Sequence, residues 1–121
     1  MSEPKCPIIV TLSMISGKWK LLILRELLND VVRFNELTRL IKGISPKVLT
    51  QQLREMEEDG LVERIIHPEV PPRVEYRLTE VGASTISIMK EIRRWGLFNL
   101  LNNEKHPVKC GRCKHCEPNG C

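Results

Sequence analysis

Ser45-Pro46-Lys47-Val48-Leu49-Thr50-Gln51-Gln52-Leu53-Arg54-Glu55-Met56-Glu57-Glu58-Asp59-Gly60 is the segment on which the fold turns. Ser is a favoured helix N-cap, and Pro suits the first helical position because the N–H it lacks is one that a first turn leaves unpaired. Gly60 marks the C-terminal end, where a left-handed residue is needed. Between these signals Val48, Leu49, Leu53 and Met56 form an apolar stripe, and Lys47, Thr50, Gln51 and Arg54 recur on the opposite surface at intervals of three and four. Residues 1–54 carry nine basic and four acidic side chains, whereas residues 55–63 hold five acids (Glu55, Glu57, Glu58, Asp59, Glu63) and no base. A polyanion can therefore meet the N-terminal half of this helix but is repelled by the other end.

Upstream, Pro7 opens a helix with Ile8, Leu12 and Ile15 on one face, and Gly17 ends it. Apolar residues Trp19, Leu22, Ile23 and Leu27 predict a second, central helix over 18–28, broken by Asn29-Asp30. A shorter helix follows Arg33, with Phe34, Leu37 and Ile41 inward and Lys42-Gly43 as its stop. Downstream, residues 61–66 and 74–78 read as the strands of a hairpin whose tip is stiffened by His67-Pro68-Glu69-Val70-Pro71-Pro72. Alternation puts Arg73, Glu75 and Arg77 opposite Val74, Tyr76 and Leu78. Thr79 caps a long final helix with Val81, Ile88, Ile92 and Trp95 in register and further apolar residues beside them, more apolar surface than one flank can bury. A second subunit is the natural cover.

The order of three helices and a hairpin, with a short turn at Gly43-Ile44 laying one capped helix across its predecessor, is that of a winged helix-turn-helix, mainly α with a small β-hairpin wing. In that setting Lys47 and Arg54 can contact phosphates or guanine edges, Gln51 can pair with adenine, and Thr50 can touch a phosphate or a thymine methyl. Ser45, Lys47, Thr50, Gln51 and Arg54 on the helix, with Arg64, Arg73 and Arg77 on the hairpin, are the candidate contacts to double-stranded DNA. A solvated helix face with ordinary charges is the alternative. His67 is given no chemistry, because no carboxylate or cysteine is placed beside it by local spacing.

At 121 residues with 41% hydrophobic and 28% charged residues, the chain suits one small domain with little room for an internal substrate cavity. No apolar run approaches the roughly 18 residues of a membrane span, and the first six residues lack a secretory apolar stretch, so a cytosolic, membrane-free protein is expected. No Ser/His/Asp grouping, paired acids or phosphate-binding glycine loop gives hydrolase or kinase chemistry a foothold, and an enzyme is not expected. The formal charge of +4 is only mildly basic.

Five cysteines in a cytosolic chain point to metal ligation or redox chemistry rather than a disulfide framework. Cys6 sits at the N-cap of the first helix beside Lys5, where the helix end and the ammonium favour thiolate; the alternative is an inert packed residue. Cys110, Cys113, Cys116 and Cys121 form C-x2-C-x2-C-x4-C in a tail that begins after Asn102. Two-residue gaps let thiolates converge on tetrahedral zinc or an iron-sulfur cluster, although the ferredoxin run continues with three residues and Cys-Pro, which this chain lacks. Disulfide-switching thiols and a functionless tail are the other two readings. The domain boundaries follow: residues 1–102 form the binding and dimerisation domain, and 103–121 the cysteine-rich tail.

Cys6-Pro7, the run from Gly17 to Leu24, Arg33-Phe34-Asn35-Glu36-Leu37, the run from Ile44 to Arg64 and the run from Val74 to Gly82 closely resemble the HxlR-type winged-helix transcriptional regulators. The resemblance covers residues from about Cys6 to Trp95. It implies a homodimer on an inverted-repeat operator, the 45–59 helix as reader, the 66–74 hairpin as wing and terminal helices at the dimer interface; some members of the family sense oxidants or electrophiles through a cysteine that matches Cys6. The cysteine tail departs from the usual pattern. Two other functions compete with a cysteine-controlled DNA-binding regulator: a small metal, iron-sulfur or redox carrier that uses the winged helix as a docking platform, and a protein-interaction module.

Overall fold

The structure, a computed structural model, describes residues 5–101. The helices are α1 (Pro7–Ile15), α2 (Lys20–Leu27), α3 (Phe34–Leu40), α4 (Pro46–Glu58), α5 (Glu80–Ser84) and α6 (Ile86–Gly96), and a π-helical turn at Leu97–Leu101 extends the last. The strands are β1 (Val32–Arg33), β2 (Val62–His67) and β3 (Arg73–Leu78), in the antiparallel order β1-β3-β2. No single helix among the described residues is long and apolar enough to cross a membrane.

The core forms where apolar stripes of the central helices converge. Ile23, Leu24 and Leu27 of α2, Leu37 of α3, and Leu49, Leu53 and Met56 of α4 are almost fully buried together with Leu61 and Val62. A core of this composition holds through area removed from water, about 25 cal/mol per Å² of apolar surface.

The caps of α4 are as expected. Ser45 Oγ accepts the Val48 N–H at 3.1 Å. At the other end Leu61 N–H donates to Met56 O at 2.9 Å and Gly60 N–H to Glu57 O at 3.1 Å, the paired bonds of a Schellman ending. Gly60 takes φ +77° to make them, a left-handed conformation that costs glycine little.

Three features differ from the sequence reading. The hairpin is joined by a third strand, because Val32 and Arg33 pair with Tyr76 and Glu75; two residues are too few to show a period. The single long final helix is instead two, α5 and α6. Thr85 turns both its N–H (3.1 Å) and its Oγ1 (2.5 Å) to Gly82 O, tightening the backbone between them. Finally, His67 does have a carboxylate partner, since its Nε2 lies 2.5 Å from Glu75 Oε1 across the hairpin.

Of the apolar residues assigned to the terminal helices, Ile15 is buried and Ile88 half-buried, whereas Ile8 and Ile9 (69% each), Leu12 (51%), Ile92 (50%), Trp95 (61%) and Phe98 (84%) are exposed.

Candidate nucleic-acid interface

α4 is held from one side only. Leu49, Leu53 and Met56 are locked in the core, so Lys47, Thr50, Gln51 and Arg54 are all exposed on the opposite face. Thr50 Oγ1 donates to Pro46 O at 2.8 Å, which leaves its lone pairs and methyl outward. Among the described residues no carboxylate lies within ion-pair distance of Lys47 or Arg54. Two of the acids at the far end of the helix are engaged: Glu55 meets Lys20 Nζ of α2 at 3.7 Å, and Glu57 meets Arg64 of β2 at 3.8 Å. Lys20 is nearly buried, so the first contact also ties α4 to the helix beneath it.

Register sorts the hairpin arginines. Arg64 lies directly opposite Tyr76, and Ile66 opposite Val74, so these side chains share the sheet face that meets α4. Arg73 and Arg77 share the other face with Glu63, His67 and Glu75. Arg73 stands at the tip, paired with Glu69 at 3.2 Å. Arg77 stands at the base, its Nε donating to Glu63 at 2.6 Å. The three arginines that the sequence groups together thus occupy three different places.

Between α4 and the wing runs a cleft of about 580 Å³. Thr50 forms part of one wall, Arg64 and Arg73 line the hairpin side, and Arg33 and Asn35, from the junction of β1 and α3, complete it. Arg33 and Asn35 were not singled out as contacts by sequence reasoning. Their only signal is their place at the start of the helix that precedes the reading helix, Arg33 as its N-cap and Asn35 in its first turn. Tyr76 forms part of the lining, and its phenol is held above the usual value of 10.0 chiefly by burial, with Glu57 raising it and Arg64 and Arg54 lowering it.

Cys6 occupies the N-cap position of α1, exposed, and its side chain makes no cap hydrogen bond. Among the described residues no group of three or more His, Cys, Asp or Glu side chains converges as a metal site. Cys110, Cys113, Cys116 and Cys121 lie outside the described residues.

Comparison with known proteins agrees with this architecture. An HTH-type transcriptional regulator of Methanothermobacter thermautotrophicus is 47% identical over 94 residues, 78% of this chain and 72% of the relative. A MarR-family transcriptional regulator from Porphyromonas gingivalis W83 superposes with a TM-score of 0.76 at 40% identity, covering 83% of this chain and 98% of its own. The redox regulator HypR superposes in its reduced form with a TM-score of 0.74 (41% identity; 78% and 93% covered) and in its oxidised form with 0.72 (42%; 78% and 97%). These are helix-turn-helix regulators, which bind DNA rather than act as enzymes. The HxlR-like helix-turn-helix family model matches residues 14–104, and the chain belongs to that family.

Proposed function

We propose that two copies of this chain bind an inverted-repeat operator, each inserting the N-terminal half of α4 into a major groove, and that cysteine state sets the affinity. The observation that carries the reading is the outward face of α4. Lys47, Gln51 and Arg54 are exposed on a helix anchored by its opposite stripe, and neither cation is neutralised by a described carboxylate. Gln51 reads a base edge; Lys47 and Arg54 bind phosphate or guanine; Ser45 and Thr50 sit at the groove margin; the wing places Arg64 and Arg73 along the backbone, with Arg77 behind them. The exposed apolar residues of α1 and α6 support a dimer formed by residues 1–102, with reading helices about 34 Å apart.

The test is binding to DNA from upstream of the gene and to variants of the site it contains. Gln51→Ala relaxes preference at one operator position, at about 1–3 kcal/mol of discrimination. Lys47→Ala or Arg54→Ala at a phosphate contact weakens all sequences alike and lowers the salt slope by about 1. If all three substitutions leave binding untouched in a folded dimer, the assigned helix is wrong.

Cysteine control rests on the exposed Cys6, on the four tail cysteines and on the similarity to HypR, whose reduced and oxidised forms are both solved. Oxidation of Cys6 and a tail thiol by diamide forms one disulfide, transferring two electrons and two protons to the diamide. The new bond then resets how the terminal segments pack. Reduced protein is the binding form in this reading. Operator affinity of wild type, Cys6→Ser and a truncation after Asn103, each before and after diamide, tests it. Equal affinities in all six samples refute cysteine control, and a response lost only on truncation moves the sensor to the tail, as a disulfide switch or as a zinc or iron-sulfur site.

A further inference from the structure

Gly17-Lys18-Trp19-Lys20 leads into α2 with two lysines of opposite fate. Lys20 is nearly buried and turns to Glu55 of α4 at 3.7 Å. Lys18 is exposed, and its Nζ lies over the Trp19 ring, 4.6 Å from the centroid. Trp19 is half-buried against the core and spans two segments, since its Cη2 lies 3.8 Å from where a Cβ on Gly43 would stand. Gly43 belongs to the turn between α3 and α4, and the exposed Lys42 precedes it. One indole therefore joins the segment that carries Lys18 to the segment that carries Lys42. Among the described residues no carboxylate lies within ion-pair distance of either lysine.

We infer that Lys18 and Lys42 together clamp one phosphate of the DNA backbone beside the N-terminal end of α4, with Trp19 as the positioning residue. A lysine ammonium is a point charge on a flexible stem, suited to phosphate rather than to the two-point reading of a base edge. Stacking on the indole restrains the Lys18 stem before DNA arrives, so less freedom is lost on binding, and the contact leaves its charge intact. Position completes the argument. The N-terminal half of α4 enters the groove, and the short turn that holds Lys42 and Gly43 leads straight to its N-cap, Ser45, at the groove margin where the phosphates run. The wing begins beyond Gly60, at the other end of α4, so wing and clamp bracket the reading helix. The clamp rests on α4 being the DNA reader, and the test separates the two.

The full chain is titrated with operator and with an unrelated duplex of equal length across about 50–200 mM sodium chloride. Lys18→Ala combined with Lys42→Ala should weaken both duplexes by the same factor and lower the salt slope by about 1 per protomer, with unchanged base preference. Lys18→Arg combined with Lys42→Arg keeps both charges and should keep the slope. Ethylation of one phosphate in each half-site should block the wild-type protein and have no effect on the double alanine variant. Trp19→Leu should weaken binding of the wild-type sequence and add nothing to the double alanine variant, because its effect passes through the two lysines. An unchanged slope in the folded double alanine variant, a loss confined to the operator, or a slope that the arginines do not keep each overturns the clamp. A further loss from Trp19→Leu in the double alanine variant overturns its positioning role. If Lys47→Ala and Arg54→Ala lower the slope and the double alanine variant does not, the clamp falls and the reader stands; if all of them leave binding untouched, the reader itself is wrong.

Discussion

Gly82→Ala sets two effects against each other, and the structure decides between them. On propensity alone, alanine in a helix is favoured over glycine by about 1 kcal/mol. At Gly82, however, an added Cβ would lie 2.0 Å from Leu61 O, 3.0 Å from Leu61 C and 3.3 Å from the Leu78 Cβ. A relaxed carbon–oxygen approach is about 3.3–3.6 Å, so α5 must retreat by more than an ångström. The obstacle is backbone and is itself engaged: Leu61 O accepts the Thr79 N–H at 3.0 Å, and Thr79 Oγ1 donates to Gly60 O at 2.5 Å. Overpacking of this kind costs about 1–3 kcal/mol, and loss of the Thr79–Leu61 bond adds about 1 kcal/mol. After subtracting the propensity gain, the net is about 2 kcal/mol of destabilisation, or a fall in Tm of roughly 10 °C for a domain of this size. Gly96→Ala is the internal control, because no atom lies within 4 Å of the added Cβ, and it should stabilise by up to about 1 kcal/mol. Thermal and urea unfolding at one fixed protomer concentration measure both. A Gly82→Ala protein as stable as wild type, or shifted like Gly96→Ala, would refute the claim that α5 is seated by close approach to Leu61.

Three further outcomes are expected. Ser45→Ala removes the acceptor for the Val48 N–H and should cost about 1 kcal/mol in urea unfolding, with loss of order confined to the first turn of α4. Tyr76 has a folded-state pKa raised above its ordinary 10.0, so the folded state binds that proton more tightly: its contribution to stability is complete below about pH 10 and is lost as pH climbs through the folded value. Because it is the only tyrosine, the tyrosinate absorbance should titrate above 10 in the native protein and return to about 10 in urea, and Tyr76→Phe should remove this part of the alkaline loss; a native midpoint at or below the urea value contradicts the burial argument. Trp95→Glu, at an exposed apolar position of α6, should turn a sedimenting dimer into a folded monomer, and a dimer of unchanged affinity would remove α6 from the interface.

What could be read from the residues follows from how far each signal reaches along the chain. Ser45-Pro46 and Gly60 declare the ends of α4 because caps are made by neighbours within five positions, and the stripe of Leu49, Leu53 and Met56 repeats often enough to show its period. The break at Thr85 has no such signature. Thr79 is a good N-cap for Glu80 to Ser84, and Gly82 weakens that helix without marking where it ends; the break comes from Thr85 turning to Gly82 O while Gly82 is pressed on Leu61, a residue outside the helix. The His67–Glu75 pair was invisible for the same reason, being set by strand register rather than by spacing. The cleft likewise joins Arg33, Thr50 and Arg73, which no period connects.

Ion pairing gives the candidate contacts an order that a count of basic residues conceals. The wing arginines each carry a carboxylate partner, Arg64 with Glu57, Arg73 with Glu69 and Arg77 with Glu63, and each must exchange it to reach a phosphate. Exposed pairs of this kind are worth up to about 1 kcal/mol, a sizeable part of what one phosphate contact returns. Lys47 and Arg54 have no described carboxylate to give up, and their helix is fixed by Leu49, Leu53 and Met56 before DNA arrives. Their charge is therefore available without rearrangement, and most of the electrostatic attraction should enter through α4. Two of the acids on that helix are turned elsewhere: Glu55 to Lys20, beneath the helix, and Glu57 to Arg64, across it. The same two contacts that seat α4 thus hold two of its acids away from the outward cations, so one arrangement of charge serves both the fold and the interface.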